Sequence, residues 1–518
     1  MGRRGTWILV GALCTCVAIP LPATAVDRAL GRDVPKPGAS GSPWTPAQRL
    51  QLARDIDETL VAAPTLRGAH LGVLAIDARD GTSLYAHNAD DALMPASTFK
   101  LLTGSAALER LGPAFRFRTS ASIEGPVTAG DLRGRLVVRG GGDPFLGVGE
   151  MDDLASTLER AGVRRISGRI EIDTSLFSDP PYMPGWSWDD FPYYYAPKIS
   201  ALSFDDNVVH LTIVPATAAG RPPQISATPY GRLIDPRIGC AVTSDTAILN
   251  RAVTGAAKSP DSIDIARDPD GCIVVSGSIA ADAPPDTIDA AVPSPETHAW
   301  HVLADRLAAH HIRFLAPTVT AGFPQIVVGA PSGTSARNIW THDSEPLSDL
   351  LADLWFPSDN LLAELLLRAL GAADGRPGTV AKGIAYETSW LKQMNVDVAP
   401  ISIDDGSGLS AYDRLTPSAL VAILAHDWNG PNRDIVLDDL PIAGVRGTLK
   451  SLFVGTPAAG TVFGKTGSVL HVRTLAGYAA TQTHGTVIFA FQVGDWNGKP
   501  DDLNAVRAAV LSRIITDR

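Results

Sequence analysis

The sequence predicts an α+β protein in which an antiparallel sheet is covered by helices and interrupted by a large β-rich insertion. Both ends of the chain combine helices with strand-like segments, whereas the middle holds many short strands broken by glycine, proline and aspartate. A chain of 518 residues is also too long for one core, since domains usually hold about 100–200 residues. We therefore expect the two ends to form one discontinuous domain around an inserted one.

Helix and hairpin patterns predict the elements of the discontinuous domain. Apolar residues recur every three to four positions after Pro46, which predicts an amphipathic helix. The strand-like segments 71–76 and 83–85 flank Asp80-Gly81, which is typical of a β-hairpin. Near the other end, segments 471–480 and 486–493 are also strand-like. They precede a helix whose apolar face holds Leu503, Val506, Val510 and Ile514.

These patterns set the expected domain boundaries. We predict a signal peptide at residues 1–25, a flexible lead-in at 26–45, and a catalytic domain formed by 46–118 together with 334–518. The β-rich insertion spans 119–333, with a nested subdomain at 205–300 as a further subdivision.

The N-terminal segment predicts export. Arg3 and Arg4 precede an apolar run and the small-x-small pattern Ala23-Thr24-Ala25, after which a signal peptidase is expected to cut. The alternative is a retained membrane anchor, although the run is shorter than the ~20 residues that span a bilayer. We therefore expect the periplasm or the cell-wall space, with loose membrane association as the alternative.

Charge and cysteine content exclude several classes of function. A net charge of −11 and a pI near 5.5 give no reason to expect nucleic-acid or anionic-lipid binding. Removal of the leader leaves Cys240 and Cys272, for which a disulfide and two free thiols are both open. The sequence shows no convincing metal cluster, and we expect no cofactor. It does not indicate the oligomeric state.

A serine and a lysine one helical turn apart are the first candidate catalytic pair. Ser97 opens a predicted helix, and Lys100 lies three positions later on the same face. A serine hydroxyl needs a base within hydrogen-bond reach, and a lysine serves only if burial and nearby positive charge lower its pKa. Taken alone, the pattern more often indicates a helix N-cap, and Ser389 to Lys392 repeats it in what we interpret as an ordinary amphipathic helix.

Two further motifs follow in order. Ser358 lies 261 positions after Ser97 (358 − 97) and begins Ser-Asp-Asn, in which Ser358 could relay a proton and Asn360 could bind Lys100 and a substrate amide. Lys465-Thr466-Gly467 offers a cation and a hydroxyl to a carboxylate, and the glycine lets the substrate backbone come close. Each motif alone more often has a structural role, but together they predict an acyl-transfer site.

This order of motifs resembles that of the serine penicillin-recognising enzymes. The long gap favours the D-alanyl-D-alanine carboxypeptidase/endopeptidase branch of the low-molecular-mass penicillin-binding proteins. The segments 140–144, 185–190, 405–409 and 444–448 are also similar to that branch. The resemblance implies the penicillin-binding/β-lactamase-like transpeptidase fold, peptidoglycan stem peptides as substrates and β-lactam antibiotics as covalent inhibitors.

Carried to this sequence, the resemblance implies a role for each motif residue. Ser97 is the nucleophile and Lys100 its base, with Ser358 and Asn360 as the second catalytic element. Lys465 and Thr466 hold the terminal carboxylate, Gly467 completes this substrate-binding motif, and the backbone N–H groups of Ser97 and Ser468 form the oxyanion hole. Asp143 is similar to an aspartate that meets the free amino group of the stem peptide, although a turn role is also open.

The expected activity is removal of the terminal D-alanine through an acyl-serine intermediate, with cleavage of D-amino-acid cross-links as a second activity. A β-lactamase and a non-catalytic cell-wall-binding protein are the alternatives. A penicillin adduct that persists for minutes argues against a β-lactamase. Hydrolysis of a D-Ala-D-Ala peptide excludes a non-catalytic protein.

Overall fold

The structure is a computed structural model that describes residues 30–31, 33–234, 246–314, 325–327, 336–374 and 376–516. The predicted signal peptide and Cys240 lie outside these residues. Cys272 takes part in a disulfide bond. Within the described ranges, no helix is both long and apolar enough to cross a bilayer.

The helices with described bounds fall mainly in the two ends of the chain. They are α1 (Pro46–Val61), α2 (Lys100–Leu111), α3 (Val148–Arg160), α4 (Pro295–Ala309), α5 (Leu347–Trp355), α6 (Asn360–Ala372), α7 (Val380–Gln393), α8 (Pro417–Asn429), α9 (Arg433–Asp439) and α10 (Pro500–Thr516).

The strands are short in the middle of the chain and long at its ends. They are β1 (His70–Asp77), β2 (Ser83–His87), β3 (Arg118–Glu124), β4 (Val127–Thr128), β5 (Asp131–Leu132), β6 (Arg135–Arg139), β7 (Arg165–Ile166), β8 (Arg169–Asp173), β9 (Val208–Val214), β10 (Gln224–Thr228), β11 (Arg232–Ile234), β12 (Ala247–Asn250), β13 (Val253–Gly255), β14 (Asp264–Arg267), β15 (Ile273–Ser276), β16 (Ser278–Ala280), β17 (Asp286–Ala291), β18 (Arg313–Phe314), β19 (Gln325–Val327), β20 (Arg337–Asp343), β21 (Val462–Val469), β22 (Val472–Ala480) and β23 (Thr486–Gly494).

A five-stranded antiparallel sheet joins the two ends of the chain, as the hairpin patterns predicted. Its strand order is β2-β1-β23-β22-β21. Strand β23 lies at its centre and is buried along its whole length, which explains its nearly continuous apolar sequence. Strand β21 is an edge strand, so one side of the Lys-Thr-Gly motif is open to a neighbouring cleft.

Helices cover both faces of this sheet. On one face, α1 and α10 pack their apolar sides on the strands and complete one hydrophobic core. On the other face, α2, α5, α6 and α8 form a helical layer with a second core. This is the predicted α+β arrangement, and it places the start of α2 and the start of α6 beside β21.

The inserted part is β-rich, and its boundary differs from the predicted one. A sheet of order β19-β8-β6-β3-β20 packs with α3 and α4, and three smaller sheets hold strands from β9 to β17. Strand β20 pairs antiparallel with β3, so the insertion extends to Asp343 and does not end at residue 333 as predicted. The polar alternation of β20 did not show which of the two sheets it would join.

The predicted lead-in is packed against the catalytic domain near its C-terminal end. Trp44 is 8% exposed and stacks on the ring of His484, with 3.9 Å between ring centroids. The Ser42 N–H donates to the Thr483 carbonyl at 2.8 Å. Burial of a large aromatic ring therefore fixes a segment whose proline and glycine content had predicted flexibility.

Candidate active site

Ser97 lies in a tight turn at the N-terminal end of α2. Residues Ala96–Phe99 form a 3-10 helix that runs directly into α2, and Ala96 takes a positive φ of 45°. This turn leaves Ser97 half-buried at the cleft while the next residues enter the core. Lys100 is fully buried, and its Nζ donates to Ser97 Oγ at 3.1 Å. The predicted nucleophile and base are therefore within hydrogen-bond reach.

The ammonium of Lys100 is held by three acceptors. Besides Ser97 Oγ, it donates to Asn360 Oδ1 at 2.5 Å and to the Ser407 carbonyl at 2.9 Å. Burial lowers the pKa of Lys100 to about 8, against the opposing effect of nearby carboxylates led by Asp405. A lysine with this pKa is neutral often enough near physiological pH to accept the Ser97 proton.

The Ser-Asp-Asn motif connects the end of α5 to the start of α6. Ser358 has a positive φ of 72°, and the Asp359 carboxylate caps α6 by accepting the Leu362 N–H at 2.9 Å. Asn360 uses its carbonyl oxygen for Lys100, and its amide nitrogen donates to the Tyr195 carbonyl at 2.6 Å. Tyr195 belongs to the insertion, so the inserted part fixes the orientation of the Asn360 side chain.

Lys465 reaches from edge strand β21 to the second serine. Its Nζ donates to Ser358 Oγ at 2.8 Å and to the Thr466 carbonyl at 2.9 Å. Burial and the charge of Lys100 hold the pKa of Lys465 well below its ordinary value. Thr466 Oγ1 is hydrogen bonded to Thr448 Oγ1 at 2.8 Å, and both threonines line the cleft.

Gly467 lets strand β21 approach the nucleophile turn. A Cβ at this position would lie 2.7 Å from the Pro95 carbonyl oxygen and 2.9 Å from the Ser97 nitrogen. The Pro95 carbonyl also accepts from Thr474 Oγ1 on the neighbouring strand at 2.7 Å. The glycine thus serves close packing of the protein backbone, which adds to its predicted role toward substrate.

A loop that the sequence indicated only as a tight glycine turn supplies the third acceptor for Lys100. The buried Asp405 carboxylate accepts from the backbone N–H groups of Ser407, Gly408 and Ser410 at 2.9, 2.6 and 2.7 Å. It also accepts from Trp186 Nε1 at 2.8 Å. The Asp-Gly-Ser-Gly spacing was the available signal, but it could not show that the Ser407 carbonyl faces Lys100.

Asp143 lies elsewhere. Its carboxylate is 2% exposed, accepts the Phe145 N–H at 3.0 Å and pairs with His342 Nε2 at 3.1 Å. It is absent from the residues that line the cleft, whereas Asp189 and Asp190 are among them. These contacts fit the turn role that the sequence left open. The second Ser-x-x-Lys pattern, at Ser389, falls in the middle of α7 with its serine exposed.

The cleft beside these residues has a volume of about 890 Å³. Its lining includes Ser97, Ser358, Asn360, Thr466 and Ser468. A serine bonded to a buried lysine, a second serine bonded to a second lysine, and an open edge strand are the features of a serine acyl-transfer enzyme of the penicillin-recognising class.

Comparison with known proteins assigns this chain to a family within that class. The chain belongs to the D-Ala-D-Ala carboxypeptidase 3 (S13) family, which matches residues 52–513. It is thus a serine carboxypeptidase of the low-molecular-mass penicillin-binding branch, as the motifs predicted.

Two curated relatives cover most of the chain. The D-alanyl-D-alanine carboxypeptidase of Actinomadura sp. (strain R39) is 32% identical over 99% of this chain and 91% of its own length. The D-alanyl-D-alanine carboxypeptidase DacB of Haemophilus influenzae is 25% identical over 83% of this chain and 88% of its own length.

A solved structure agrees with the fold. Penicillin binding protein 4 (dacB) from Haemophilus influenzae superposes with a TM-score of 0.76 at 23% identity, covering 89% of this chain and 99% of that one. The same protein complexed with a β-lactam superposes with a TM-score of 0.69 at 22% identity.

Proposed function

We propose that this protein removes the terminal D-alanine from peptidoglycan stem peptides through an acyl-Ser97 intermediate. The observation that carries the proposal is the position of Lys100, which is buried, bonded to Ser97 Oγ and held by Asn360 and Ser407. Membership of a carboxypeptidase family supports the substrate class. The relatives from Actinomadura and Haemophilus are both named as D-alanyl-D-alanine carboxypeptidases.

Acylation begins when neutral Lys100 accepts the Ser97 proton and Oγ attacks the carbonyl carbon of the penultimate D-alanine. The carbonyl oxygen becomes an oxyanion, for which the N–H groups of Ser97 and Ser468 are the proposed donors. The C–N bond then breaks, and Ser358 relays the proton taken up by Lys100 to the leaving amine, which leaves Lys100 neutral again. The Oγ of Ser358 is held 2.8 Å from Lys465 Nζ. Water later attacks the ester and releases the shortened peptide and free Ser97.

The carboxylate of the leaving D-alanine is assigned to the edge strand. Thr466 and Ser468 line the cleft, and the buried Lys465 amine belongs to the same strand. A carboxylate that accepts several hydrogen bonds is bound more strongly than a neutral group at the same position. We therefore expect a preference for peptides that end in a free carboxylate.

Cationic groups of the stem peptide are assigned to the carboxylates of Asp189 and Asp190. Both residues line the cleft, whereas the Asp143 carboxylate is paired with His342 outside it. Asp190→Asn is expected to raise KM for a stem with a free side-chain amine more than for its acetylated form. An equal effect on both substrates contradicts this assignment.

Release of D-alanine from a defined D-Ala-D-Ala peptide tests the proposed activity. The wild-type protein should release one D-alanine per peptide, and Lys100→Ala should abolish the release. Absence of hydrolysis in the wild type favours the non-catalytic alternative. Turnover of a penicillin adduct within seconds instead of minutes favours the β-lactamase alternative, because the two classes differ in the rate of deacylation.

Export is the proposed localisation, carried by the leader pattern in residues 1–25. Sequencing the N-terminus of the protein from a producing bacterium tests it. A mature chain that starts at Val26 is expected, and a chain that retains Arg3 and Arg4 contradicts cleavage.

A further inference from the structure

Two arginines, Arg473 and Arg507, line the cleft. Arg473 lies on β22 directly opposite Ser468 on β21, so the two side chains project from the same face of the sheet. Arg507 lies on α10, which packs on that face, and both arginines are among the lining residues of the cleft. Asn504, one turn earlier on α10, also lines the cleft.

Neither guanidinium meets a carboxylate within the described ranges. Arg473 Nη1 donates to the Val469 and Val472 carbonyls at 2.6 and 2.8 Å, and its guanidinium lies 5.4 Å from the centre of the Trp496 ring. Among the described residues, the acidic side chains that line the cleft are Asp189 and Asp190, both part of the insertion.

Arg507 is the more unusual of the two. It is 4% exposed, and its Nε and Nη2 atoms are buried without a hydrogen-bond partner. Its guanidinium lies 5.5 Å from the centre of the Phe491 ring. Burial, together with the neighbouring Arg473 charge, lowers the pKa of Arg507 to about 9, which still leaves it charged at neutral pH.

Two adjacent cations that lack a carboxylate partner and are removed from water are costly, because desolvation and mutual repulsion both oppose folding. An anion bound between them would supply the missing acceptors, and guanidinium groups match the geometry of a carboxylate. The pair therefore has the chemistry of an anion site whose ligand comes from outside the chain.

The position of this site indicates which part of the substrate would reach it. Thr466 and Ser468 are assigned to the carboxylate of the leaving residue. Arg473 lies opposite Ser468 on the neighbouring strand, two residue pairs nearer the hairpin turn than Thr466. Free D-alanine carries a single carboxylate, which is already bound there. A leaving amine that belongs to a second, cross-linked stem peptide carries further carboxylates.

We propose that Arg473 and Arg507 form a second anion site that binds an additional carboxylate of the leaving group and so selects cross-linked peptides. This rests on the proposed D-Ala peptidase function and assigns it a substrate class. The two arginines contribute to binding only when the leaving group has two or more carboxylates. Cross-linked peptides would then be bound and cleaved in the same cleft as D-Ala-D-Ala peptides.

Two synthetic peptides that differ only in the leaving residue test the proposal. Both end in an acyl-D-Ala linkage, one to D-2-aminopimelate and the other to its side-chain amide, so that a single negative charge distinguishes them. The wild type is expected to show a kcat/KM about 10-fold higher for the carboxylate form, the range of one charge-assisted hydrogen bond. Arg473→Gln and Arg507→Gln should each bring this ratio toward one.

Arg513→Gln is the matched control, since it removes the same charge from an exposed position on α10. It should leave the ratio at the wild-type value. A wild-type ratio of one, or a ratio that survives both substitutions, overturns the anion site. If Arg507→Gln does not fold, the half-buried Arg473 gives the same readout.

Release of D-alanine from a D-Ala-D-Ala peptide separates this inference from the proposed function. Wild-type protein that hydrolyses that peptide but shows no carboxylate preference retains the function and lacks the second anion site. Protein that hydrolyses none of the peptides contradicts the proposed function itself.

Discussion

Lys465 Nζ lies 2.8 Å from Ser358 Oγ, so the cation of the edge strand is bonded to the serine of the second motif. On the other side of the site, Lys100 bonds to both Ser97 and Asn360. Each serine therefore has its own buried lysine. Burial of Lys465 and the nearby charge of Lys100 keep the pKa of Lys465 low.

The pH dependence of acylation should report Lys100. Burial sets the pKa of this lysine at about 8, and the base must be neutral to accept the Ser97 proton. The second-order rate of acylation by a penicillin should rise about 10-fold per pH unit below pH ~8 and level off above it. Stopped-flow or quenched mass spectrometry between pH 5 and 10 measures this rate.

Lys100→Arg is the matched control for that profile. Arginine keeps the positive charge but does not lose its proton in this range, so acylation should fall by about 10²- to 10⁴-fold. A flat wild-type profile, or an arginine variant with near-normal acylation, contradicts the role of Lys100 as base.

Asp405→Asn should lower both the stability of the protein and the rate of acylation. The substitution replaces an acceptor of three loop N–H groups and the Trp186 indole, and the loop carries the Ser407 carbonyl that holds Lys100. Urea unfolding should show a loss of about 3 kcal/mol, and acylation should slow in the folded fraction. Asp404→Asn, at the adjacent half-exposed position, should cost less than about 1 kcal/mol. Equal losses for the two variants contradict a special role for Asp405.

Gly467→Ala should separate β21 from the nucleophile turn. The added methyl would overlap the Pro95 carbonyl and the Ser97 nitrogen, so the strand or the turn must move by a large part of an ångström. A displacement of that size should lower the acylation rate by about 100-fold. Gly149→Ala is the comparison, because its added methyl meets no atom within 4 Å, and it should acylate at the wild-type rate.

Asp206→Asn should stabilise the protein at alkaline pH. Asp206 belongs to the insertion and is hydrogen bonded to Asp359 of the Ser-Asp-Asn motif, and burial of this pair raises the pKa of both carboxyl groups. A raised pKa in the folded state means that stability falls as pH rises above the unfolded value near 4, since the folded pair must then lose a proton at a cost.

The asparagine removes that titration, and its amide suits the positive φ of 53° at this position. The difference in unfolding free energy between variant and wild type should therefore grow in favour of the variant from pH 5 to pH 8. Urea titrations at both values measure it. A difference that is constant with pH contradicts a shared proton between Asp206 and Asp359.

Local patterns predicted β1, β2, β22 and β23, because each of these strands has strong alternation or a continuous apolar run next to a recognisable turn. The hairpin at Asp80-Gly81 and the buried strand β23 are examples. Strand β21 carried only the Lys-Thr-Gly motif. Strand β20 was wrongly predicted to belong to the catalytic domain and not to the insertion. Its seven residues have mixed polarity, so their sequence does not indicate which sheet the strand joins.

The motif residues were predictable by type and order, whereas contacts between distant loops were not. Ser97, Lys100 and Asn360 meet in the structure as expected. The Ser407 and Tyr195 carbonyls are backbone groups, so their side chains give no sign of a role in the site. Asp143 was assigned to the free amino group of the stem peptide from its motif alone. It pairs instead with His342, which is 199 positions away in the sequence, so the contact depends on the tertiary fold.

Mass spectrometry of the protein after brief exposure to a penicillin tests the central claim most directly. A single adduct of the antibiotic's mass on the peptide that contains Ser97, persisting for minutes and absent from Ser97→Ala, is the expected result. An adduct on another residue, or equal labelling of Ser97→Ala, would contradict the assignment of Ser97 as the acylated nucleophile.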